Sequence, residues 1–209
     1  GSTMSRGGRK GMTAKAYESI QYDEAKRFKD HFQLAAAVSI TANASFNTTV
    51  TFGSASTNPN VSVLGCDEAY LKISSYQLKE GRIFSPAEIE QGSNVIILGN
   101  DVVEKIFIHG ENPIDQMVRI GSHAYRVIGL LASKGNTMGF AGDNQCLIPT
   151  LNVKKCYNAE DTDYSIQVQA ENHEALAKML NEAVNMMRVI REDQPGEEES
   201  FEIRMSNGL

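Results

Sequence analysis

The stretch Leu78-Lys-Glu-Gly-Arg-Ile-Phe84, continued by Ser85-Pro86-Ala87-Glu88, carries the clearest turn and helix-start signals of the sequence, and we call it the corner. Gly81 supplies a backbone position that can take positive φ, and Ser85 before Pro86 is typical of an N-cap followed by a proline at the first helical position. The stretch therefore predicts a turn that leads into a short helix. We expect Phe84 to pack inward, and Arg82 either to pair with a nearby acid, the more frequent role, or to face a partner.

Strand patterns surround this corner on both sides. Upstream, alternating apolar residues at 38–44 and 50–52 predict a hairpin, and residues 61–65 predict a third strand. Downstream, the pattern predicts a buried strand at 93–98, a helix capped by Asn100, two strands between Met117 and Leu131, and a strand at 146–149 that the proline ends.

The two ends of the sequence carry the clearest helices. Residues 22–32 predict a short amphipathic helix, and residues 166–205 predict a β-α-β unit whose helix is capped by Asn172. We expect one apolar face on this second helix, formed by Leu176, Leu180, Val184, Met187 and Ile190. Both helices are expected to cover a sheet whose strands come from the two chain ends, with residues 67–150 forming an inserted β-rich part.

Composition excludes several classes of protein. Apolar residues make up 41% and charged residues 22% of the 209 residues, which is typical of a folded chain. The net charge of -6 argues against a nucleic-acid partner. No segment has the roughly 20 apolar residues needed to cross a bilayer. Residues 1–18 are interpreted as a tag remnant, beginning Gly1-Ser2-Thr3, followed by a flexible basic tether.

The sequence offers few candidates for chemistry. Three cysteines form no C-x-x-C pair and are expected to be buried thiols, and four histidines lie far apart, so we predict no catalytic residue, metal or cofactor. The glycine-dense stretch 135–142 is not followed by Gly-Lys-Ser/Thr, which disfavours a nucleotide site. It predicts a surface loop instead. Its candidates for partner contact are Gly135, Met138 and Phe140, beside Gly81, Arg82 and Phe84 of the corner.

An ordered series of short motifs resembles the periplasmic core domain of MacB/FtsX-type ABC transporter permeases. The series covers nearly the whole chain from about residue 17 and comprises 63–70, 78–84, 95–99, 103–107, 112–114, 118–120, 125–129 and 148–149. One departure is the turn Pro113-Ile114-Asp115, where family members commonly have glycine in the third position.

The resemblance implies an α+β fold in the periplasmic part of a bacterial inner-membrane protein. A porter-like mixed α/β subdomain would comprise residues 19–66 and 151–209, with a mostly-β subdomain inserted at 67–150. The implied partners are a cytoplasmic ABC ATPase reached through the membrane part, a periplasmic adaptor or lipoprotein, and a second permease subunit in a homodimer or heterodimer. The domain itself would be no enzyme and would transmit ATP-driven movement, a mechanism called mechanotransmission.

Two other functions are compatible with the residues alone. A stand-alone module that binds a peptide or lipoprotein predicts an exposed apolar groove and affinity in isolation. An enzyme with a spatially assembled site predicts a concave cluster of perturbed titratable groups.

Overall fold

The computed structural model describes residues 13–14, 20–134, 142–157, 162–192 and 203–206. These residues form six helices and twelve strands, and the fold is α+β, as predicted. The helices are α1 (Tyr22–His31), α2 (Tyr70–Ile73), α3 (Pro86–Gln91), α4 (Asn100–Ile106), α5 (Thr150–Cys156) and α6 (Leu176–Arg191). The strands are β1 (Thr13–Ala14), β2 (Ala37–Thr48), β3 (Val50–Phe52), β4 (Ala55–Ser56), β5 (Val61–Cys66), β6 (Leu78–Gly81), β7 (Val95–Leu98), β8 (Met117–Ile120), β9 (His123–Leu131), β10 (Gln145–Pro149), β11 (Tyr164–Gln169) and β12 (Ile203–Ser206).

All twelve strands belong to one mixed sheet. Its order is β1-β12-β11-β2-β5-β10-β7-β9-β8-β3-β4, and β6 pairs with the second half of β9. The parallel pairing of β11 with β12 confirms the predicted β-α-β unit. Helices α1 and α6 pack together, where Arg191 Nε lies 3.4 Å from Glu24 Oε2.

The sheet curls back on itself. Residue 49 alone separates β2 from β3, although five strands lie between them in the sheet order. In a flat sheet those strands would separate β2 and β3 by almost 30 Å, at about 4.8 Å per strand, whereas two residues of chain span only about 7 Å. The strands from β2 to β4 must therefore curve round to bring β3 close to the end of β2. We call them the curled sheet.

Apolar side chains fill both faces of the sheet. Strand β7 alternates between them, with Ile96 and Leu98 in the larger core and Val95 and Ile97 in the smaller one. The larger core includes Phe28 of α1, Val102 and Ile106 of α4, and Met179, Ala183 and Met187 of α6. The smaller core contains Tyr76 and Phe84. Such a continuous apolar strand requires cover on both faces, as the sequence indicates.

The hairpin predicted from residues 38–52 is wrong. β3 pairs with β8 and with β4, and its two-residue turn to β4 begins at Gly53, while β2 pairs with β5 and β11. Alternation identifies a half-buried strand but carries no information about its partner, and this explains the error.

Two helices also differ from expectation. Pro149 ends β10, but it is also the N-cap residue of α5, a helix that was not predicted from the sequence. In α6 the fully buried positions are Met179, Ala183 and Met187. The predicted face lies partly beside them, since Leu176, Leu180, Val184 and Ile190 are only partly buried.

The division into subdomains at residues 66/67 and 150/151 stays a prediction. β5 of the predicted porter-like subdomain and β10 of the predicted insert pair in parallel over five residues. β3 pairs with β8, a strand of the predicted insert, and β4 pairs with the other side of β3.

The turn that departs from the motif series contains Asp115 with a φ of 68°. This is the left-handed region that glycine adopts most readily, so the chain keeps the turn with an aspartate, one of the few residues that tolerate it. The Asp115 amide donates to the carbonyl oxygen of Val127 at 2.8 Å, which holds the turn against β9.

Candidate functional site

The corner predicted at residues 78–88 is formed by β6 and α3. Gly81 lies opposite Gly129 of β9, has a φ of 80°, and is followed by Arg82, whose amide donates to the Ile128 carbonyl oxygen at 3.0 Å. A Cβ atom at position 81 would overlap that carbonyl oxygen and lie 2.7 Å from Gly129 Cα. Both the turn and the close approach to β9 therefore require glycine.

An ion pair closes the corner over the start of α3. Ser85 Oγ accepts from the Glu88 amide at 3.2 Å, and Glu88 Oε1 accepts from the Ser85 amide at 2.8 Å, which forms a capping box. Arg82 donates to both carboxylate oxygens of Glu88, at 2.7 and 3.1 Å. These bonds, those from Arg82 above all, lower the pKa of Glu88 to about 2, although partial burial opposes the shift.

The Arg82 side chain remains 50% exposed, so the pair is largely screened and is worth about 1 kcal/mol. Arg82 thus pairs locally with an acid while part of its guanidinium faces solvent. Phe84 is 2% exposed and lies in the smaller core with Tyr76, and Tyr70 packs against the same core. These aromatic side chains pack together in this core, the commoner alternative to a ligand pocket.

A second polar group lies at the ends of β9 and β10. Asp143 accepts from Ser133 Oγ and from the Lys134 amide, both at 2.6 Å. The Tyr76 hydroxyl lies 2.9 Å from the carbonyl oxygen of Gly142 and bonds to Gln145 Oε1. These contacts hold together the residues on either side of 135–141, and we call this group of contacts the 134–143 base. The candidates Gly135, Met138 and Phe140 lie outside the described residues.

Lys134 supplies a positive charge to the 134–143 base. Its Nζ lies 3.4 Å from the centroid of the Tyr76 ring and donates to Ser75 Oγ at 3.1 Å. Partial burial lowers the pKa of Lys134, which Asp143 partly opposes, and burial together with Asp143 raises the pKa of Tyr76 to about 12. Lys134 and the neutral Tyr76 therefore serve to hold the base together through a cation–π contact. This base was not predicted from the sequence, although Ser133, Lys134 and Asp143 flank the glycine-dense stretch directly.

Metal-binding groups and reactive thiols are the chemical features to look for in the described part of the chain. No three His, Cys, Asp or Glu side chains within it are grouped so that they could hold a metal ion. The three cysteines are free thiols, two of them buried and Cys156 half-buried. Burial raises the pKa of Cys66 and raises that of Cys146 to about 12, so neither is an activated nucleophile. Among the same residues, no helix combines the length and the apolar character required to cross a bilayer.

A mixed, curled sheet with a β-α-β unit formed by β11, α6 and β12 defines the class of α+β domain to which this fold belongs. The family model for the MacB-like periplasmic core domain matches residues 2–186. The chain belongs to this family, which confirms the resemblance found in the sequence.

Curated relatives are bacterial export proteins. The chain is 38% identical over 93 residues to the macrolide export ATP-binding/permease protein MacB of Syntrophobacter fumaroxidans, a match that covers 44% of this chain and 13% of that protein. It is 35% identical over 78 residues to the pyoverdine export ATP-binding/permease protein PvdT of Pseudomonas entomophila, covering 37% and 12%. The chain thus matches only about an eighth of the length of these relatives.

Solved structures share the fold. The extracellular domain of the ABC-type transporter YknZ from Gram-positive bacteria matches with a TM-score of 0.68 and 18% identity, covering 90% of both chains. The periplasmic region of MacB from Actinobacillus actinomycetemcomitans matches with a TM-score of 0.68 and 17% identity, covering 94% of this chain and 88% of that one.

Proposed function

We propose that this chain is the periplasmic domain of an ABC transporter permease in a bacterial inner membrane, and that it transmits ATP-driven movement of the transmembrane helices to a periplasmic partner or substrate. Family membership supports this proposal, because the relatives are named as export permeases that carry an ATP-binding part. The ATPase is then a separate domain or subunit in the cytoplasm, and the domain acts without a cofactor.

One structural observation carries the mechanical part of the proposal. β1 and β12 pair in antiparallel fashion, with Thr13 opposite Arg204 and Ala14 opposite Ile203. Because the pairing is antiparallel, the chain that precedes β1 and the chain that follows β12 leave the sheet at the same end. Two neighbouring transmembrane segments attached there would hold the domain by one edge, so their displacement would act directly on the sheet.

The proposal is tested in the full-length parent permease, reconstituted with its ATPase in proteoliposomes. Spin labels are placed at Lys105→Cys, an exposed position of α4, in the two permease copies of a homodimer, or at this position and on the partner subunit of a heterodimer. We expect the distance between the labels to change between the ATP-bound and nucleotide-free states, and to stay constant when the ATPase is inactivated. An unchanged distance during steady ATP turnover would refute transmission.

We further propose that residues 135–141 contact the periplasmic partner, with Met138 and Phe140 as the apolar contacts. The 134–143 base supports this, since it holds the flanking residues Lys134 and Gly142 close to the same part of the sheet. Met138→Ala and Phe140→Ala are expected to weaken binding of an adaptor or lipoprotein to the permease, whereas Met117→Ala, at an apolar residue 51% exposed on β8, should not. Equal effects at all three positions would contradict this contact. Strong binding by the isolated domain would favour a stand-alone binding module instead.

A further inference from the structure

Strand β2 is shared by two parts of the sheet. It pairs with β11 over Ala37–Ala42 and with β5 from Ala42 to Thr48, so only Ala42 is paired on both sides. The first half of β2, with β11, β12, β1 and the helices α1 and α6, forms what we call the terminal layer. The second half belongs to the curled sheet. The two ladders share only this residue, so any change in the angle between the terminal layer and the curled sheet has to be taken up by β2 at or beside Ala42.

The unsupported side of β2 before Ala42 is held by two side chains. The backbone amide of Ile40 donates to Asp67 Oδ2 at 2.7 Å, and its carbonyl oxygen accepts from Thr150 Oγ1 at 2.7 Å. Asp67 directly follows β5 and Thr150 directly follows β10, and these two strands are parallel neighbours. Two side chains of the curled sheet thus take the place of the missing ladder bonds at one residue of the terminal layer.

The Asp67 carboxylate accepts several further hydrogen bonds at this position. Asp67 is 2% exposed, and its carboxylate also accepts from Lys29 Nζ of α1 at 2.9 Å, from Ser39 Oγ at 2.7 Å and from the Ala69 amide at 3.2 Å. Burial raises the pKa of Asp67, and Lys29 and the bonds from Ile40 and Ser39 oppose that shift. A buried carboxylate is costly, and it is tolerated where several donors converge on it and where it fixes one conformation.

Other charged and titratable groups surround the same point. Glu68 binds Lys29 at 2.6 Å from the exposed side, while Tyr22 of α1 has its pKa raised by burial and by Asp67. The network therefore joins α1, β2 and the ends of β5 and β10, the elements on both sides of Ala42. Thr150 is 1% exposed, so its hydrogen bond to the Ile40 carbonyl oxygen is shielded from water.

We propose that Asp67 and Thr150 form a two-point clasp on Ile40 that fixes the angle between the terminal layer and the curled sheet. A displacement of the β1–β12 edge then moves the curled sheet as part of one rigid body instead of bending β2 at Ala42. This inference rests on the proposed function, because it supplies the stiffness that transmission through the domain requires. Asp67 and Thr150 are positioning residues in this scheme, and they contact no partner.

The experiment uses this chain by itself. It follows the angle between the terminal layer and the curled sheet as the distance between two spin labels, one on each part. Spin labels are attached at Glu182→Cys on α6 and Lys105→Cys on α4, both exposed, in a Cys156→Ser background. Cys66 and Cys146 are buried and need no replacement. The wild-type clasp is expected to give one narrow distance distribution. Thr150→Val should broaden or shift it, Asp67→Ala should do so more, and Asp67→Asn, which keeps one oxygen near Ile40, should lie between wild type and Asp67→Ala.

Thr57→Val is the matched control. Thr57 is also a buried threonine whose hydroxyl bonds to a backbone group, accepting from the Val50 amide at 3.0 Å, but it lies within the curled sheet. The variant Thr57→Val should leave the distance distribution between the two spin labels unchanged. Amide exchange followed by NMR gives the second readout: the Ile40 amide should exchange about tenfold faster in Asp67→Ala, while the β7 amides should keep their rates.

Several outcomes would overturn the clasp. One is an unchanged distance distribution in Thr150→Val and Asp67→Asn, variants that retain most of the local packing and serve if Asp67→Ala does not fold. Another is equal broadening in Thr57→Val. These results concern only the stiffness of the isolated domain. The proposed function fails separately, if the domain is rigid and the parent permease turns over ATP without moving it.

Discussion

Replacing Gly81 by alanine tests whether the corner depends on close approach or only on backbone freedom. Gly53, in the β3–β4 turn, is the matched control, since its φ of 57° is also positive but a Cβ there would meet no atom within 4 Å. A non-glycine residue in the left-handed region costs about 1 kcal/mol. Gly53→Ala should therefore lower the free energy of unfolding by about that amount.

Gly81→Ala carries an additional steric cost. The new methyl group would overlap the Ile128 carbonyl oxygen, so β6 must move away from β9. That movement weakens the bond from the Arg82 amide and its neighbour in the β6–β9 ladder, each worth about 1 kcal/mol. It also loosens Phe84, which follows three residues later. We expect a total loss of about 3 to 4 kcal/mol for Gly81→Ala.

The two variants are compared by urea unfolding and by thermal unfolding followed by circular dichroism. For a chain of this size 1 kcal/mol corresponds to about 2 to 4 °C in Tm. Gly53→Ala should therefore lower Tm by about 2 to 4 °C and Gly81→Ala by about 6 to 16 °C. If the two variants lose the same stability within about 0.5 kcal/mol, close packing of residue 81 on β9 is not what the corner requires.

Three further outcomes follow from single side chains. The pKa of Glu88 is lowered to about 2 from an ordinary 4.5, so its pair with Arg82 stabilises the fold fully above pH 4.5 and is lost as the pH falls toward 2. Urea titrations at pH 5 and pH 2 should therefore show that Glu88→Gln loses about 1 kcal/mol less stability on acidification than the wild type. An equal loss of stability in the variant and the wild type would contradict this expectation. Asn152, fully buried, accepts from the Tyr125 hydroxyl at 2.6 Å and donates to the Gly92 carbonyl oxygen at 2.9 Å, so Asn152→Ala should cost about 3 kcal/mol. Tyr125→Phe should cost less and should be nearly neutral when combined with Asn152→Ala, and additive losses in that cycle would show that the two residues act independently. Asp115→Gly should raise Tm by about 1 to 2 °C, since glycine adopts the φ of 68° without strain, and a lowered Tm would show that the aspartate side chain supports the turn.

Local chemistry made the corner predictable. Ser85, Pro86 and Glu88 form the expected helix start because a capping box needs only residues three positions apart. The β-α-β unit was equally accessible, since its strands and helix have strong periodic patterns and its parallel pairing follows from the crossover helix.

Non-local partners could not be inferred in the same way. The partner of β3 is β8, about 70 residues away, and nothing in the alternation of residues 50–52 distinguishes it from β2. The clasp is a clearer case. Asp67 follows a strand and would suit a turn, and only the pairing of β2, β5 and β10 brings its carboxylate to Ile40.

The 134–143 base shows the same limit. Ser133 and Asp143 are ten residues apart and flank a glycine-dense stretch, which is compatible with a hairpin base or with an unstructured loop. The base also needs Tyr76, which bonds to Gly142 and Gln145 and comes from the connection between α2 and β6, far away in sequence.

The curled sheet also has a consequence for the order of folding. Its strands all come from residues 42–149, whereas the terminal layer needs β11 and β12, which are made last. The strand β1 cannot pair until β12, about 190 residues later in the sequence, has been synthesised. During synthesis the curled sheet can thus form first, and the docking of β11 on β2 is expected to be a late step that depends on long-range contacts. Until then the first half of β2 exposes an unpaired edge, the kind of surface on which newly made β-proteins aggregate.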